Sequence, residues 1–197
     1  MAKGPAYRVK YRRRREGKTD YRARRILATS GRPRLVVRPS LRNIRVQIIR
    51  SEPEGDYVEV STSTHELVKK FGWKGGGENI PAAYLLGMII GYKALSKGIK
   101  SSILDIGLRR ATKGARVFAV VRGAVDAGLD VPHSEEALPS EDRIEGRHIA
   151  RYAEMLAEDP EAYRRRFSKY LERGLRPEDL PEHFKTVKAR IEEAFNN

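Results

Sequence analysis

Apolar and polar side chains follow a short period along three segments in the first third of the chain. Residues 35–38 are mostly aliphatic, and residues 44–48 alternate between branched aliphatic and polar side chains. Residues 57–61 repeat this alternation after the turn-forming residues 53–56. The pattern predicts a β-hairpin with one wet face, extended by a third strand into an antiparallel meander.

Longer apolar repeats after the meander predict helices. A short helix is expected over residues 65–71, followed by a glycine-rich loop. A strongly apolar helix is expected over residues 80–92, with Asn79 as its N-cap and Pro81 in its first turn. A helix that is apolar on all sides is typical of a buried element, so we expect it to pack on the sheet.

Two further elements complete the predicted core. Residues 102–106 predict a buried strand, and residues 115–127 predict a helix because valine and alanine repeat there at helical spacing. A strand over residues 117–121 remains an alternative. Strands and helices in this order, with too few helices to cover both sheet faces, predict an α/β sandwich with a mixed sheet.

The composition divides the chain into three parts. Residues 1–33 contain few aliphatic side chains and no sustained apolar period, so they cannot bury enough surface to fold alone. We interpret them as a basic, extended N-terminal arm that becomes ordered on a partner. Residues 34–130 form the predicted α/β core, and residues 131–197 form a predicted helical C-terminal extension.

The extension should contain three helices, near residues 143–157, 160–173 and 181–195. The last two carry apolar stripes at Tyr163, Phe167, Tyr170 and Leu171, and at Phe184, Val187, Ile191 and Phe195. Such stripes usually pack inside the molecule, and a surface for a partner is the alternative.

The positive charge is concentrated at one end of the chain. The protein has 40 Lys+Arg and 26 Asp+Glu, a formal net charge of +14. Residues 1–50 alone hold 17 basic and 2 acidic residues, whereas the remaining 147 residues hold 23 and 24. An excess gathered in one segment predicts a contact with a polyanion rather than general solubility.

The arm combines arginine, lysine and tyrosine in a way that suits RNA. Guanidinium groups bind phosphate with two hydrogen bonds, and tyrosine rings stack on unpaired bases. The candidate RNA-binding residues of the arm are Tyr7, Arg8, Lys10, Tyr11, Arg12, Arg13, Arg14, Arg15, Lys18, Tyr21, Arg22, Arg24 and Arg25. A targeting signal or a non-specific nucleic-acid patch is the alternative, but the positive strip continues onto the first hairpin through Arg32, Arg34, Arg38, Arg42 and Arg45.

Two loops add candidate phosphate contacts. Lys74, Gly75 and Gly76 precede the apolar helix, where backbone N–H groups and the helix dipole favour phosphate, although the loop lacks the spacing of a nucleotide-binding motif. A simple turn is the alternative. A second basic group follows the strand at 102–106 and consists of Arg109, Arg110 and Lys113, for which a solvated turn is equally consistent.

Residues that could support catalysis, metals or a membrane location are sparse. There is no cysteine, and the four histidines show no paired ligand spacing, so we expect no cofactor and no metal site. The N-terminal segment lacks the apolar core of a secretory signal, which argues against secretion. Residues 80–92 are shorter than the roughly 20 residues that cross a bilayer, and Gly87 and Gly91 are better explained as close-packing positions.

Seven motifs, in order and over about residues 3 to 160, resemble one known family. They are KTDYRAR at 18–24, RPRLVVR at 32–38, FGWKGGG at 71–77, PAAYLLG at 81–87, LDIGL at 104–108, TKGARVF at 112–118 and DRIEGRH at 142–148. The chain resembles large-subunit ribosomal protein family eighteen, the 5S rRNA-binding family, in its archaeal and eukaryotic form.

The resemblance implies a structural role without enzymatic activity. It implies a ribonuclease-H-like topology without nuclease activity, and an arm lying along 5S rRNA with further contacts to large-subunit rRNA in the central protuberance. It implies RNA contacts from the arm, Arg34, Arg38, Lys74, Arg109, Arg110 and Lys113. We expect a cytoplasmic, ribosome-bound protein that is not a homo-oligomer, with neighbouring large-subunit proteins, including family five, as partners.

Two other functions are each suggested by a part of the sequence. A Mg²⁺-dependent RNA-processing nuclease would use Asp105 on the predicted core strand, but the other strands supply only Glu59, which is predicted to face solvent. One carboxylate does not make a two-metal site, so we expect a structural role for Asp105.

A general DNA-compacting protein is the other alternative, and it is suggested by net charge alone.

Overall fold

A computed structural model describes residues 4–196. Residues 1–3 of the predicted arm and residue 197 of the predicted extension lie outside this range. The elements are α1 (Arg12–Arg15), α2 (Tyr21–Thr29), β1 (Arg34–Pro39), β2 (Ile44–Glu52), β3 (Gly55–Ser63), α3 (Thr64–Phe71), α4 (Ile80–Ser96), β4 (Ile103–Asp105), α5 (Arg116–Asp126), α6 (Glu141–Glu145), α7 (Arg147–Leu156), α8 (Pro160–Glu172) and α9 (Leu180–Asn196), with 3₁₀ turns at Glu135–Ala137 and Pro177–Asp179.

Within the described residues the four strands form one mixed sheet in the order β3-β2-β1-β4. β1 pairs antiparallel with β2 and parallel with β4, and β2 pairs antiparallel with β3. A β-bulge shifts the register between Ile48 and Ile49. The predicted meander and the predicted mixed sheet are both confirmed.

The apolar helix α4 packs on one face of this sheet. Its side chains share one hydrophobic core with Leu35 and Val37 of β1 and with Val46 of β2. Asn79 is its N-cap, since Oδ1 accepts a hydrogen bond from the N–H of Ala82 at 2.9 Å. The prediction for residues 115–127 is confirmed as helix α5, so the alternative strand over residues 117–121 is wrong.

Glycine allows α4 and α5 to approach each other closely. A Cβ atom at Gly87 would lie 2.2 Å from the carbonyl oxygen of Val120. A Cβ atom at Gly123 would lie 2.1 Å from the carbonyl oxygen of Tyr84. Both distances are far below van der Waals contact, so the interpretation of Gly87 as a close-packing position is confirmed.

Substituting alanine for Gly123 should therefore destabilise the protein. In an exposed helix this change stabilises the protein by up to about 1 kcal/mol. Here the added methyl group would clash with the backbone of α4 at Tyr84, which can move only if the packed helix moves with it. We expect the free energy of unfolding to fall by about 3 kcal/mol, the upper end of overpacking effects. Urea unfolding measures it, and Ser96→Ala on the exposed end of α4 should change the value by less than about 0.5 kcal/mol.

The C-terminal helices continue the same core. Leu180, Phe184, Val187 and Ile191 of α9 belong to the cluster formed by α4 and the sheet. Phe195 stacks on Tyr92 of α4 with ring centroids 5.4 Å apart. The apolar stripe predicted for the last helix is thus an intramolecular packing surface.

The arm is not extended throughout its described part. α1 and α2 interrupt it, and the prediction of an extended chain is wrong for these two segments. Asp20 starts α2 because its Oδ1 accepts hydrogen bonds from the N–H groups of Arg22 and Ala23 at 2.9 and 3.2 Å. Leu27 of α2 is half-buried, so the helix has one side against the body.

α2 lies on the sheet face opposite to α4. Side chains alternate across a strand, so Arg34 points away from the face that carries Leu35. The guanidinium of Arg34 pairs with Asp56 at 2.8 Å, and Asp56 also pairs with Arg24 of α2 at 2.9 Å. The order of layers is therefore α2, sheet, α4 with α5, and then the C-terminal helices.

Candidate nucleic-acid interface

The arm carries a dense set of exposed cations. All thirteen predicted arm contacts, from Tyr7 to Arg25, have exposed side chains. Arg12 and Lys18 share the carboxylate of Glu16, at 3.9 and 2.8 Å. Arg14, Arg15, Arg22 and Arg25 form no ion pair within the described part of the chain. The arm therefore offers guanidinium groups that a phosphate can reach without displacing a carboxylate.

Aromatic rings are interleaved with these cations. The rings of Tyr11 and Tyr21 lie 6.3 Å apart, tilted by 45°. Tyr11 is 80% exposed, so its ring is open to stacking by a base. Guanidinium groups beside exposed tyrosine rings are a combination that recognises unpaired RNA rather than a regular duplex.

Arg34 does not belong to this surface, which corrects the sequence prediction. Its side chain is 2% exposed, and its three guanidinium nitrogens donate to Asp105, Asp56 and Ser51 at 2.8, 2.8 and 3.2 Å. RNA cannot reach a guanidinium that is enclosed and fully engaged. Arg34 instead holds the sheet and the arm together.

Arg38 lies beside this buried group but keeps an open side. It donates to Oδ1 and to the backbone carbonyl of Asp105, both at 2.7 Å, while its side chain is 44% exposed. The N–H of Gly107 also donates to Oδ1 of Asp105 at 2.9 Å. Burial, the largest single influence, raises the pKa of Asp105, but the opposing effects of Arg38, Arg34 and Gly107 together bring it below its usual value.

A cleft of about 380 Å³ separates the arm from the β4 edge of the sheet. Five cations line it, namely Arg13, Lys18, Arg24, Arg38 and Arg109. Carboxylates at the cleft are already engaged, because Asp20 caps α2 and Asp105 pairs with arginine. The cleft is therefore positive, and it joins the arm to the folded body in one surface.

The basic loop after β4 lies at the same end of the sheet. Arg109 donates to the backbone carbonyl of Pro39 at 2.6 Å, which holds the loop beside the β1–β2 turn that carries the exposed Arg42. Arg110 is exposed, and Lys113 pairs with Glu136 at 2.6 Å on the surface. Exposed Arg32 precedes β1.

The glycine loop is built against the protein rather than toward solvent. Trp73 is buried and donates its indole N–H to the carbonyl of Gly76 at 3.0 Å. Gly75 is buried, and its carbonyl accepts from Arg173 at 2.6 Å. The N–H of Lys74 donates to Nε2 of His183 at 3.0 Å, so of this predicted trio only the Lys74 side chain is well exposed.

The structure gives the nuclease alternative no support. Asp105 is held by two arginines, and Glu59 lies on β3, at the opposite edge of the sheet from β4. Glu59 was predicted to face solvent. Its carboxylate instead forms an ion pair with Arg50 and is largely covered. Among residues 4–196 no group of three or more His, Asp or Glu side chains could hold a metal ion.

One residue that positions the arm was not identified from the sequence. Asp56, in the β2–β3 turn region, joins the arm to the body by accepting from both Arg24 and Arg34. Its pKa is raised by burial but is brought below the usual value by these two arginines. No local pattern distinguishes this aspartate from an ordinary turn residue, because its partners are 32 and 22 positions away.

In the range that the structure describes, none of the helices combines the length and apolar character that crossing a membrane requires.

The fold and the surface define a class of protein. A compact α/β body carries a positive, aromatic-containing arm and a positive cleft, without an assembled catalytic group in the described residues, as expected of a structural RNA-binding protein. The family described as "Ribosomal large subunit proteins 60S L5, and 50S L18" matches residues 5–101 and 97–134. A large ribosomal subunit protein uL18 of Caldivirga maquilingensis is 60% identical over 196 residues, covering 99% of this chain and 95% of the relative.

This chain belongs to the L18/L5e family of large-subunit ribosomal proteins. The resemblance to family eighteen is confirmed, and so is the structural role in the large ribosomal subunit. Membership implies ribosomal RNA and other ribosomal proteins as partners, and it implies a non-enzymatic function.

Proposed function

We propose that the protein binds 5S rRNA through its arm and attaches it to large-subunit rRNA in the central protuberance of cytoplasmic ribosomes. The single observation that carries the proposal is the continuous positive surface formed by the arm, the cleft and the loop after β4. Each phosphate neutralised there adds about 0.7 to 0.9 to the salt dependence of binding, so six or more contacts would dominate the affinity.

The contacts that we propose are those that remain accessible. They are Tyr7, Arg8, Lys10, Tyr11, Arg12, Arg13, Arg14, Arg15, Lys18, Tyr21, Arg22, Arg24, Arg25, Arg32, Arg38, Arg42, Lys74, Arg109, Arg110 and Lys113. Buried Gly75 and half-buried Gly76 take at most a supporting part, by shaping the loop that presents Lys74.

The architecture that we propose has a ribonuclease-H-like core over residues 34–130, with the arm at 1–33 and the extension at 131–197. Its support is the strand order, in which an antiparallel meander continues into a parallel fourth strand. A parallel bridge between Ser101 and Asp130 stands where a further strand would extend the sheet. We also propose a member of family five as a neighbour on 5S rRNA, and a protein that acts as one copy rather than as a homo-oligomer.

Competition binding tests this function against general compaction of nucleic acid. Labelled 5S rRNA bound to the full chain is challenged with unlabelled 5S rRNA, a shuffled RNA of equal length, or duplex DNA at about 150 mM salt, where non-specific binding is weak. We expect 5S rRNA to compete at least about 100-fold better than duplex DNA. Equal competition by all three would contradict the proposal.

A further inference from the structure

The helix α8 carries a second group of exposed cations far from the arm. Arg164, Arg165, Arg166 and Lys169 are all exposed, and in the chain as described none of them forms an ion pair with a carboxylate. We call these four residues the α8 basic face.

Three other arginines of the body, all at least partly exposed, have counter-charges beside them. Arg122, Arg147 and Arg151 each lie within 2.6 to 3.2 Å of a carboxylate, on Asp126, Glu145 and Asp142. An arginine paired in this way adds little net charge to the surface, whereas four cations on one helix without an ion pair form a positive patch. A positive patch of this kind suits an anionic partner.

The helix that presents these cations is firmly fixed to the body. Phe167 is buried and contacts the rings of Tyr152, Tyr163 and Tyr170, with centroids 6.1, 5.4 and 5.8 Å away. Tyr170 also accepts a hydrogen bond from Asn79 at the start of α4. The α8 basic face is thus held rigidly, which lowers the entropy cost of binding an extended ligand.

A cavity of about 390 Å³ opens beside these cations, between α8 and the 3₁₀ turn Pro177–Asp179. Its walls include Pro160, Tyr163 and Leu171, and its charged lining residues are Arg164 and Arg176 together with Glu178 and Asp179. Tyr163 is oriented by its hydroxyl, which donates to the carboxylate of Glu178 at 2.9 Å. The volume lies within the about 300–1,000 Å³ of small-ligand sites, so it admits a planar group such as a base.

The chemistry of this surface suits an RNA segment with unpaired nucleotides. Cations along one helix track phosphates, and a cavity with a tyrosine ring and no net charge takes an uncharged base that is not stacked in a duplex. A regular double helix would present phosphates but no free base to the cavity.

The position of α8 shows that it would not share one short RNA segment with the arm. α8 packs on α7, α7 on α9, and α9 on α4, whereas α2 of the arm lies beyond the sheet. The sheet and helix α4 therefore lie between the two basic surfaces.

From these observations we infer that the α8 basic face and its cavity form a second RNA-binding surface, which takes an unpaired segment other than the one on the arm. This rests on the proposed function, in which the protein joins two RNAs, and it names the surface for the second contact. The protein then acts as a rigid spacer with an RNA segment on each side.

Photo-crosslinking of the full chain tests this inference directly. The probe is a single-stranded RNA of about 20 nucleotides containing 4-thiouridine, long enough to cover one binding surface. Crosslinked peptides are identified by mass spectrometry. We expect crosslinks in residues 157–179 as well as in the arm, and about a tenfold or greater loss at 157–179 in Arg164→Gln/Arg165→Gln/Arg166→Gln, with arm crosslinks unchanged.

A matched control removes three charges elsewhere. Arg122→Gln/Arg147→Gln/Arg151→Gln loses the same charge and should leave the crosslinks at 157–179 intact. Circular dichroism verifies that both variants are folded. Persistence of crosslinks in the α8 variant, or equal loss in the control, would overturn the inference.

The outcomes separate this inference from the proposed function. Crosslinks confined to the arm would refute the α8 surface and leave the arm proposal standing. Crosslinks confined to residues 157–179 would contradict the arm proposal and support the α8 surface. Equal crosslinking by a duplex carrying the same photoreactive base would refute the requirement for unpaired nucleotides.

Discussion

Replacing Arg12, Arg14 and Arg15 with glutamine should weaken binding to 5S rRNA by about 50-fold at about 150 mM salt, because three phosphate contacts are lost. These three side chains are exposed, and among residues 4–196 their only ion pair is the 3.9 Å contact of Arg12 with Glu16. Arg13 is left in place because its Nε donates to Thr19 at 2.8 Å and supports the local fold of the arm.

The salt dependence provides the sharper measurement. Fluorescence anisotropy over a series of salt concentrations should give a slope of log affinity against log salt that falls by about 2 to 3 in this variant. The matched control is Arg164→Gln/Arg165→Gln/Arg166→Gln, which removes the same charge on the opposite side of the protein. It should change 5S rRNA affinity by less than about threefold, because salt screens charges that lie farther from the RNA than about one Debye length. Equal losses in both variants would show that location does not matter and would contradict the arm proposal.

The substitution Asp105→Asn should lower the free energy of unfolding by about 3 kcal/mol at neutral pH. Removing one partner of a buried ion pair costs about 3–5 kcal/mol, and the lower end applies here because Arg34 keeps its second partner, Asp56. Here Arg34 is 2% exposed and loses the anion on which its Nη1 is held at 2.8 Å. Urea unfolding measures the change.

A surface pair supplies the control for this substitution. Lys113 and Glu136 are 2.6 Å apart, no farther than Arg34 and Asp105 at 2.8 Å, but both side chains are more than 70% exposed. Glu136→Gln should therefore change the unfolding free energy by no more than about 0.5 kcal/mol. Similar effects of the two substitutions would mean that burial is not what makes the Asp105 pair important.

The pH dependence of the difference identifies its cause. The pKa of Asp105 is lowered in the folded protein, so its stabilisation is complete above the unfolded value of about 3.9 and is lost as pH falls through the folded value. The stability difference between wild type and Asp105→Asn should be constant from about pH 7 to 5 and shrink below about pH 4. Histidine titration cancels in this comparison because it is common to both proteins. A difference that grows toward acid would contradict the assignment.

Strong local patterns made several elements predictable. The apolar run of α4, with Asn79 and Pro81 at its start, is visible without any knowledge of its neighbours, because cap and first-turn residues act within four positions. The meander was equally clear, since period-two alternation and a turn sequence specify both the strands and their order.

The arm shows where local patterns were insufficient. α2 has no fully buried residue and only nine residues, too short to be stable without tertiary contacts. Its tertiary contacts are the half-buried Leu27 and the ion pair of Arg24 with Asp56, a contact across 32 positions that the sequence does not signal. The alternative strand over residues 117–121 was open for a similar reason, because short apolar runs fit either period until the packing of α5 on α4 decides.

The sequence by itself determined the family, the strand order of the meander, the buried helices and the concentration of positive charge at one end. Each of these depends on the identity and spacing of residues that are close together in the chain. Only the tertiary structure decided which cations are available. Arg34 and Arg38 lie on the same face of β1, yet one is enclosed by Asp105, Asp56 and Ser51 while the other opens into the cleft. Charge is a property of a residue, whereas access to that charge depends on carboxylates and helices brought beside it from distant parts of the chain.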